Sequence, residues 1–262
     1  IGGTSTIGGT STGTITMGAI ALNNNLTLGA GVATPISLRT VTGPSSGTSD
    51  LTFNTTGAIT VSGAVGTNIG TITITNSGGT TFNGTVGATT VTLTNTTGTI
   101  AFNGALTATT LNTTTQAYNV ALNASTGTIT NLVTFSNTGT LALGASAGTL
   151  TFNGGLTATA PSATTLKGTI TSSNDAITFG AITLGADTTI NTVATTNVAD
   201  LTIGAVTGAT YNLTLATGGV AGAEIAGTSV AGVGTLTITN SGGTTFSGTV
   251  GATTVTLTNT TG

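Results

Sequence analysis

The feature that most limits what this chain can become is an alternation of period two, apolar residue then threonine, in short runs. Ile72 and Ile74 alternate with Thr71, Thr73 and Thr75, and Val91 and Leu93 with Thr90, Thr92 and Thr94. Ile100/Phe102, Leu141/Leu143, Leu150/Phe152, Leu201/Ile203 and Leu213/Leu215 keep the same beat. Successive side chains of a strand point to opposite faces, so this beat predicts half-buried β-strands, apolar inside and hydroxyl-bearing outside. No segment reads as a helix: β-branched residues dominate, glycine recurs every few positions, and no apolar stripe at helical spacing is sustained. Asn54, Asn83, Asn95, Asn103, Asn123 and Asn153, with Gly144, Gly180, Gly185 and Gly204, stand near the ends of these runs. Asn and Gly most easily take positive φ, so each is expected to bend the chain at a corner.

The strands recur at two scales. Residues 70–98 read GTITITNSGGTTFNGTVGATTVTLTNTTG and residues 234–262 read GTLTITNSGGTTFSGTVGATTVTLTNTTG, differing only at Ile72/Leu236 and Asn83/Ser247. Ile15 to Leu22 echo Ile177 to Leu184 more weakly. A long unit of about 70–233 is therefore expected, with the next copy opening at 234. The chain starts at Ile1 without a basic or signal-like leader and stops inside the second copy, so it is expected to be a window on a longer array. Within the long unit, Phe82-Asn83-Gly84 returns as Phe102-Asn103-Gly104, and residues 98–109 return as 148–159.

Short strands of this kind bury only two or three small apolar side chains each, too little to offset the ordering entropy of an isolated hairpin. Stacking is the remedy. If two or three strands form a coil of roughly 20 residues and each coil pairs in parallel with the next, the inward residues become one dry column. The expected fold is thus all-β: one parallel β-solenoid, or β-helix, over residues 1–262. Like should lie over like, Phe82 over Phe102 and Asn83 over Asn103. The competing all-β reading, an antiparallel sandwich, needs hairpin turns, and the Asn-Gly pairs at 83–84, 103–104 and 153–154 are too few to supply them. Stacking also explains the composition. Of 262 residues, 74 are Thr, 42 Gly and 21 Asn, while only seven are charged. A charge repeated at every coil would meet its own kind about 4.8 Å away.

The missing residue types exclude most chemistry. The chain has no His, Cys or Trp, which removes the usual zinc sites, thiolate nucleophiles and Ser-His-Asp triads. Two cations cannot neutralise a phosphate track, so no nucleic acid is expected as partner. No apolar run reaches the roughly 18 residues of a membrane helix. We expect no enzyme activity, no cofactor, no metal, and neither catalytic nor ligand-binding site residues.

Individual candidates are weighed on their neighbours. Asp50 and Asp200 share the text Asp-Leu-Thr and are expected in equivalent places, capping backbone amides instead of doing acid-base work, since no second carboxylate lies near either. Asp175 and Asp187 read as turn residues. Arg39 and Lys167 lie near Pro35, Pro44 and Pro161, where the rhythm breaks, and residues 33–49 and 160–168 are expected to be extruded loops, candidates for partner contact. The threonine rows could order water, as on ice-binding solenoids, but Thr on nearly every strand, interrupted by Ala101, Ala142 and Ser62, fits a plain solvent face. Gly2-Gly3 and Gly218-Gly219 precede no Gly-Lys-Ser/Thr and are not phosphate loops. Tyr118 and Tyr211 are expected as core or edge residues.

With its threonine strands, Asn and Gly corners and tandem copies, the sequence resembles the β-strand-repeat regions of very large bacterial surface proteins, the filamentous-haemagglutinin-like and autotransporter-passenger class of adhesins and fibres. The resemblance runs the whole length and is one of texture, without a signature motif. It implies export, a right-handed β-helical shaft, and a structural role in adhesion, surface-layer or extracellular-fibre assembly at the cell surface. It carries over no catalytic residue. The secretion and anchoring motifs of that class are not present, nor is the Asp-rich calcium nonapeptide of related secreted repeats. The partners expected are neighbouring copies of the array and identical chains alongside. The alternative is a binding module that recognises glycan, host surface or ice through loops or Thr ladders. A polysaccharide lyase would need clustered acids with Arg or Lys in a groove, which this sequence lacks.

Overall fold

The computed structural model describes residues 1–8, 13–44 and 47–260. Among them every regular element is a β-strand, the strand pairings are parallel, and equivalent strands stack about 21 residues apart, which makes the fold a β-solenoid. The chain forms two compact units, Ile1–Ala124 with Ser136–Thr140, and Ser125–Phe135 with Leu141–Gly262.

In the first unit the strands make three parallel stacks. Ser5–Ile7, Leu26–Leu28 and Ser49–Asn54 are followed, one coil at a time, by the C-terminal parts of Val65–Asn76, Val86–Leu93 and Leu106–Thr113. A second stack runs Ile15–Met17, Ile36–Leu38, Ile59–Val61, Thr80–Phe82, Thr99–Phe102, Asn119–Leu122. The third joins Ile20–Ala21 and Val41–Thr42 to the N-terminal parts of the three long strands. The second unit repeats the plan: strands such as Thr149–Phe152 and Leu213–Gly218 form one stack, Leu156–Ala158 and Ile177–Phe179 another, and the N-terminal parts of Ala163–Ser172 and Ile182–Ala194 a third.

The apolar member of each period-two pair points inward. Ile72, Ile74, Val91, Leu93, Ile100 and Phe102 are all buried. Phe82 lies in register with Phe102, and their rings stack at 4.9 Å with planes 10° apart. Stacking, not sequence, sets this burial. The block at 234–260 has nearly the same text as 70–96, yet Val255 and Leu257 are 52% and 62% exposed whereas their equivalents Val91 and Leu93 are fully buried. Val91 and Leu93 lie under Leu111 and Thr113 of the following coil.

Two sequence expectations are corrected. Residues 33–49 are not an extruded loop: Ile36–Leu38 and Val41–Thr42 are strands within the stack, and Ser49 opens another. Ser45 and Ser46 lie outside the described residues. Residues 160–168 likewise enter the strand Ala163–Ser172. Pro35 is tolerated because it precedes its strand, where no ladder N–H is needed, and its carbonyl accepts from the Ile15 amide at 2.9 Å. Around Lys167 the irregularity is a single register shift between Leu166 and Gly168.

The second correction concerns the corners. Of the Asn and Gly residues assigned to them, Gly144 has positive φ (86°), while Asn54, Asn83, Asn95, Asn103, Asn123 and Asn153 do not. The corners rest instead on buried hydroxyls. Thr55, Ser77 and Thr96 each accept the amide of the glycine two residues on, Gly57, Gly79 and Gly98. Thr96 Oγ1 also donates to the Ser77 carbonyl at 2.7 Å, tying one corner to the corner below. These are Ser/Thr turns stacked into a column. In the second unit the hydroxyls of Ser172, Thr192 and Thr217 are donors to carbonyls of their own turn and of the following coil, with Thr192 Oγ1 2.6 Å from the Ala199 carbonyl and 3.1 Å from that of Thr217. Thr192 is fully buried. Thr192→Val keeps the shape and removes the donor, and is expected to cost about 1–3 kcal/mol in urea titration, because two carbonyls lose their partner; an unchanged midpoint would show that the column is ornamental.

Candidate functional site

The surface is built by the outward member of each strand pair. In the second unit Thr126, Thr149, Thr169, Thr189, Thr214, Thr237 and Thr256 lie in direct register, an unbroken row along one stack. The neighbouring row starts as Thr128, Thr151 and Thr171, then passes through Asn191 and Ala216 before Thr239 and Thr258. On the adjacent stack Thr134, Thr157, Thr178 and Thr202 align until Ala226 interrupts. The first unit holds Thr6, Thr27, Thr52, Thr73 and Thr92 in register, ending at Asn112. Rungs of this spacing place a methyl and a hydroxyl about every 4.8 Å.

Asparagines add a second kind of row. Asn103 Nδ2 donates to Asn83 Oδ1 at 3.0 Å and Asn123 Nδ2 to Asn103 Oδ1 at 3.1 Å, an exposed amide ladder in the first unit. A short equivalent joins Asn259 to Asn240 in the second.

Three of the five acids cap amides of the coil that follows. Asp50 Oδ1 accepts from the Thr71 amide at 2.8 Å and Asp200 Oδ1 from the Glu224 amide at 2.9 Å. The expected equivalence of the two aspartates is corrected. Leu51 pairs with Ile72, whose counterpart in the repeated text, Leu236, pairs with Leu213. Leu201 pairs with Ile177 and Ile225 in another stack, so the two acids share a kind of cap and not a place. Asp187 accepts the Asn212 amide, and Asn212 in turn accepts that of Thr235. Asn25 and Asn119 perform the same cap, so Asp and Asn are interchangeable here and the charge itself is not the point. The densest convergence is at Asn174, φ 71°, whose Oδ1 receives the consecutive amides of Thr195, Thr196 and Asn197 at 2.7, 3.0 and 3.1 Å. Such a concave run of N–H groups suits an anion, and here the neutral amide oxygen fills it.

The remaining candidates disperse. Arg39 is exposed beyond the strand Ile36–Leu38. Lys167 is half-buried, its stem lying over Gly185, where an added Cβ would meet Cε at 2.7 Å. Tyr118 is a core residue: its hydroxyl donates to the Leu93 carbonyl at 2.8 Å and accepts the Thr114 amide at 3.0 Å. Desolvation holds its phenol above the usual range, with the bonds to Thr114 opposing. Tyr211 is 39% exposed. Among the described residues no three of His, Cys, Asp or Glu gather where a metal could sit, and no helix is long and apolar enough to cross a membrane. Among the described residues the strands bring together rows of uncharged hydroxyls and amides. Comparison with known proteins finds no matching family model, no matching curated protein and no matching solved structure.

Proposed function

We propose that this chain is a structural segment, a rigid shaft or filament portion, of a large exported bacterial surface protein that supports adhesion, surface-layer or fibre assembly. The observation that carries this reading is the use of side chains: acids, amides and buried hydroxyls all bind the backbone of neighbouring coils. A chain that spends its polar groups on its own backbone is organised for stiffness along the stack. The near-absence of charge leaves little to oppose lateral association of identical chains.

The test is topological. Antibodies raised against this segment should label intact cells of the source organism, and external protease should remove the label. Labelling that appears only after lysis would end the proposal. A second reading, recognition of a ligand or of ordered water by a ladder face, is favoured by one observation, the unbroken threonine row from Thr126 to Thr256. Deletion of 33–49 cannot separate the two readings, because it removes strands of the stack.

A further inference from the structure

The chain contains three Asn-Gly pairs, and the fold holds each differently. Asn-Gly is the dipeptide most open to deamidation, because no side chain on glycine shields its nitrogen. The glycine N, after loss of its proton to hydroxide, attacks the asparagine Cγ. The new C–N bond closes a succinimide, the Cγ–Nδ2 bond breaks, and ammonia leaves. Water then opens the ring to aspartate or isoaspartate. No redox partner is required. The step needs a mobile side-chain amide and a free glycine N–H.

Asn103-Gly104 offers neither. Its Nδ2 donates to Asn83, its Oδ1 accepts from Asn123, and the Gly104 amide leans on the Phe82 carbonyl at 3.4 Å. Asn83-Gly84 is intermediate: Asn83 Oδ1 is held by Asn103, while the Gly84 amide has no hydrogen bond among the described residues. Asn153-Gly154 is the loosest. It forms the middle of a turn closed by the Gly155 amide on the Phe152 carbonyl at 2.9 Å, and the N–H at the third position of such a turn is left over. Among the described residues neither the Asn153 side chain nor the Gly154 amide makes a hydrogen bond.

We infer that Asn153 is the chain's site of spontaneous deamidation, followed by Asn83, and that the amide ladder protects Asn103. The chemical consequence differs along the chain. A carboxylate at 153 disturbs no ladder, whereas one at 103 would face the Asn83 carbonyl oxygen with its donor gone.

The experiment is peptide mapping by mass spectrometry, with isoaspartate detection, on the purified full chain aged in mildly alkaline buffer at 37 °C. Asn153 should convert first, with Asn103 slower by about tenfold, the factor that one or two neutral hydrogen bonds supply. In denaturant the three rates should converge, since the local text is the same. Asn123→Ala, which frees Asn103 Oδ1 at an exposed position, should speed conversion at Asn103 severalfold and leave Asn153 unchanged. Equal rates in the folded chain, Asn103 leading, or the same order in denaturant would each overturn the inference.

Discussion

Phe102→Ala should lower stability by about 3–5 kcal/mol, the range for removing a buried phenylalanine from a packed interior. Phe102 has no exposed surface and lies between Phe82 below and Leu122 above, in register with both. The ring of Phe82 stacks on it at 4.9 Å and in turn meets Phe53 edge-on at 6.2 Å. Alanine leaves a hole bounded by backbone on the strand direction and by Phe82 and Leu122 along the stack. The rungs cannot collapse into it, because their spacing is set by the parallel hydrogen bonds, not by the side chains. Phe102→Leu keeps most of the volume and should cost about 1–1.5 kcal/mol. Urea titration followed by far-ultraviolet circular dichroism measures both. A loss below about 1 kcal/mol for alanine would show that the column is loosely filled.

The architecture is readable because a solenoid has few ways to satisfy a period-two sequence. Alternation alone assigns inward residues such as Ile72, Val91 and Leu215, and the recurrence of Phe-Asn-Gly at twenty residues predicts the register that places Phe82 on Phe102. The corners mislead. Backbone freedom is the natural assignment for asparagines there, yet they use ordinary φ, and three of them, Asn83, Asn103 and Asn123, join their side chains across successive coils. The signal for the buried hydroxyl column is present as a recurring text, Asn-Thr-Thr-Gly at 54–57 and 95–98 and Asn-Ser-Gly-Gly at 76–79 and 240–243. Its meaning depends on which residue of the turn faces inward, and alternation does not cross a corner. The 33–49 segment misleads for a related reason: proline and arginine break the pattern locally, while Ile36 and Leu38 keep the inward beat between Ile15/Met17 and Ile59/Val61.

The threonine rows are legible in the sequence, but their continuity is not. Whether seven threonines share one row depends on summed coil lengths. Successive partners such as Thr169, Thr189, Thr214 and Thr237 are separated by intervals of 20, 25 and 23 residues. Register shifts, such as that between Asn191 and Ala194, absorb some of that variation so that the outward faces stay aligned. A sequence reader who assumes a constant period loses the row after two coils.

Gly104→Ala should cost about 2–3 kcal/mol, although the residue is a plain glycine of ordinary φ at a surface corner. A Cβ there would lie 2.2 Å from the Gly84 carbonyl oxygen and 2.3 Å from its carbon, both backbone atoms that cannot rotate away. Gly84 stands in the same relation to Gly63, at 2.5 and 2.4 Å. The three glycines form a column in which each coil rests its backbone directly on the coil below. Adding a methyl must therefore push apart rungs whose neighbouring hydrogen bonds, such as Asn103 N–H to the Phe82 carbonyl at 2.8 Å, resist it. Gly18 is the control. A Cβ there would meet nothing within 4 Å, so Gly18→Ala should be neutral or add up to about 1 kcal/mol through the smaller entropy of the unfolded chain. Thermal melts of the two variants against the parent separate the cases. If both shift equally, the cost belongs to glycine's general flexibility, and close contact between coils is not what holds the corner.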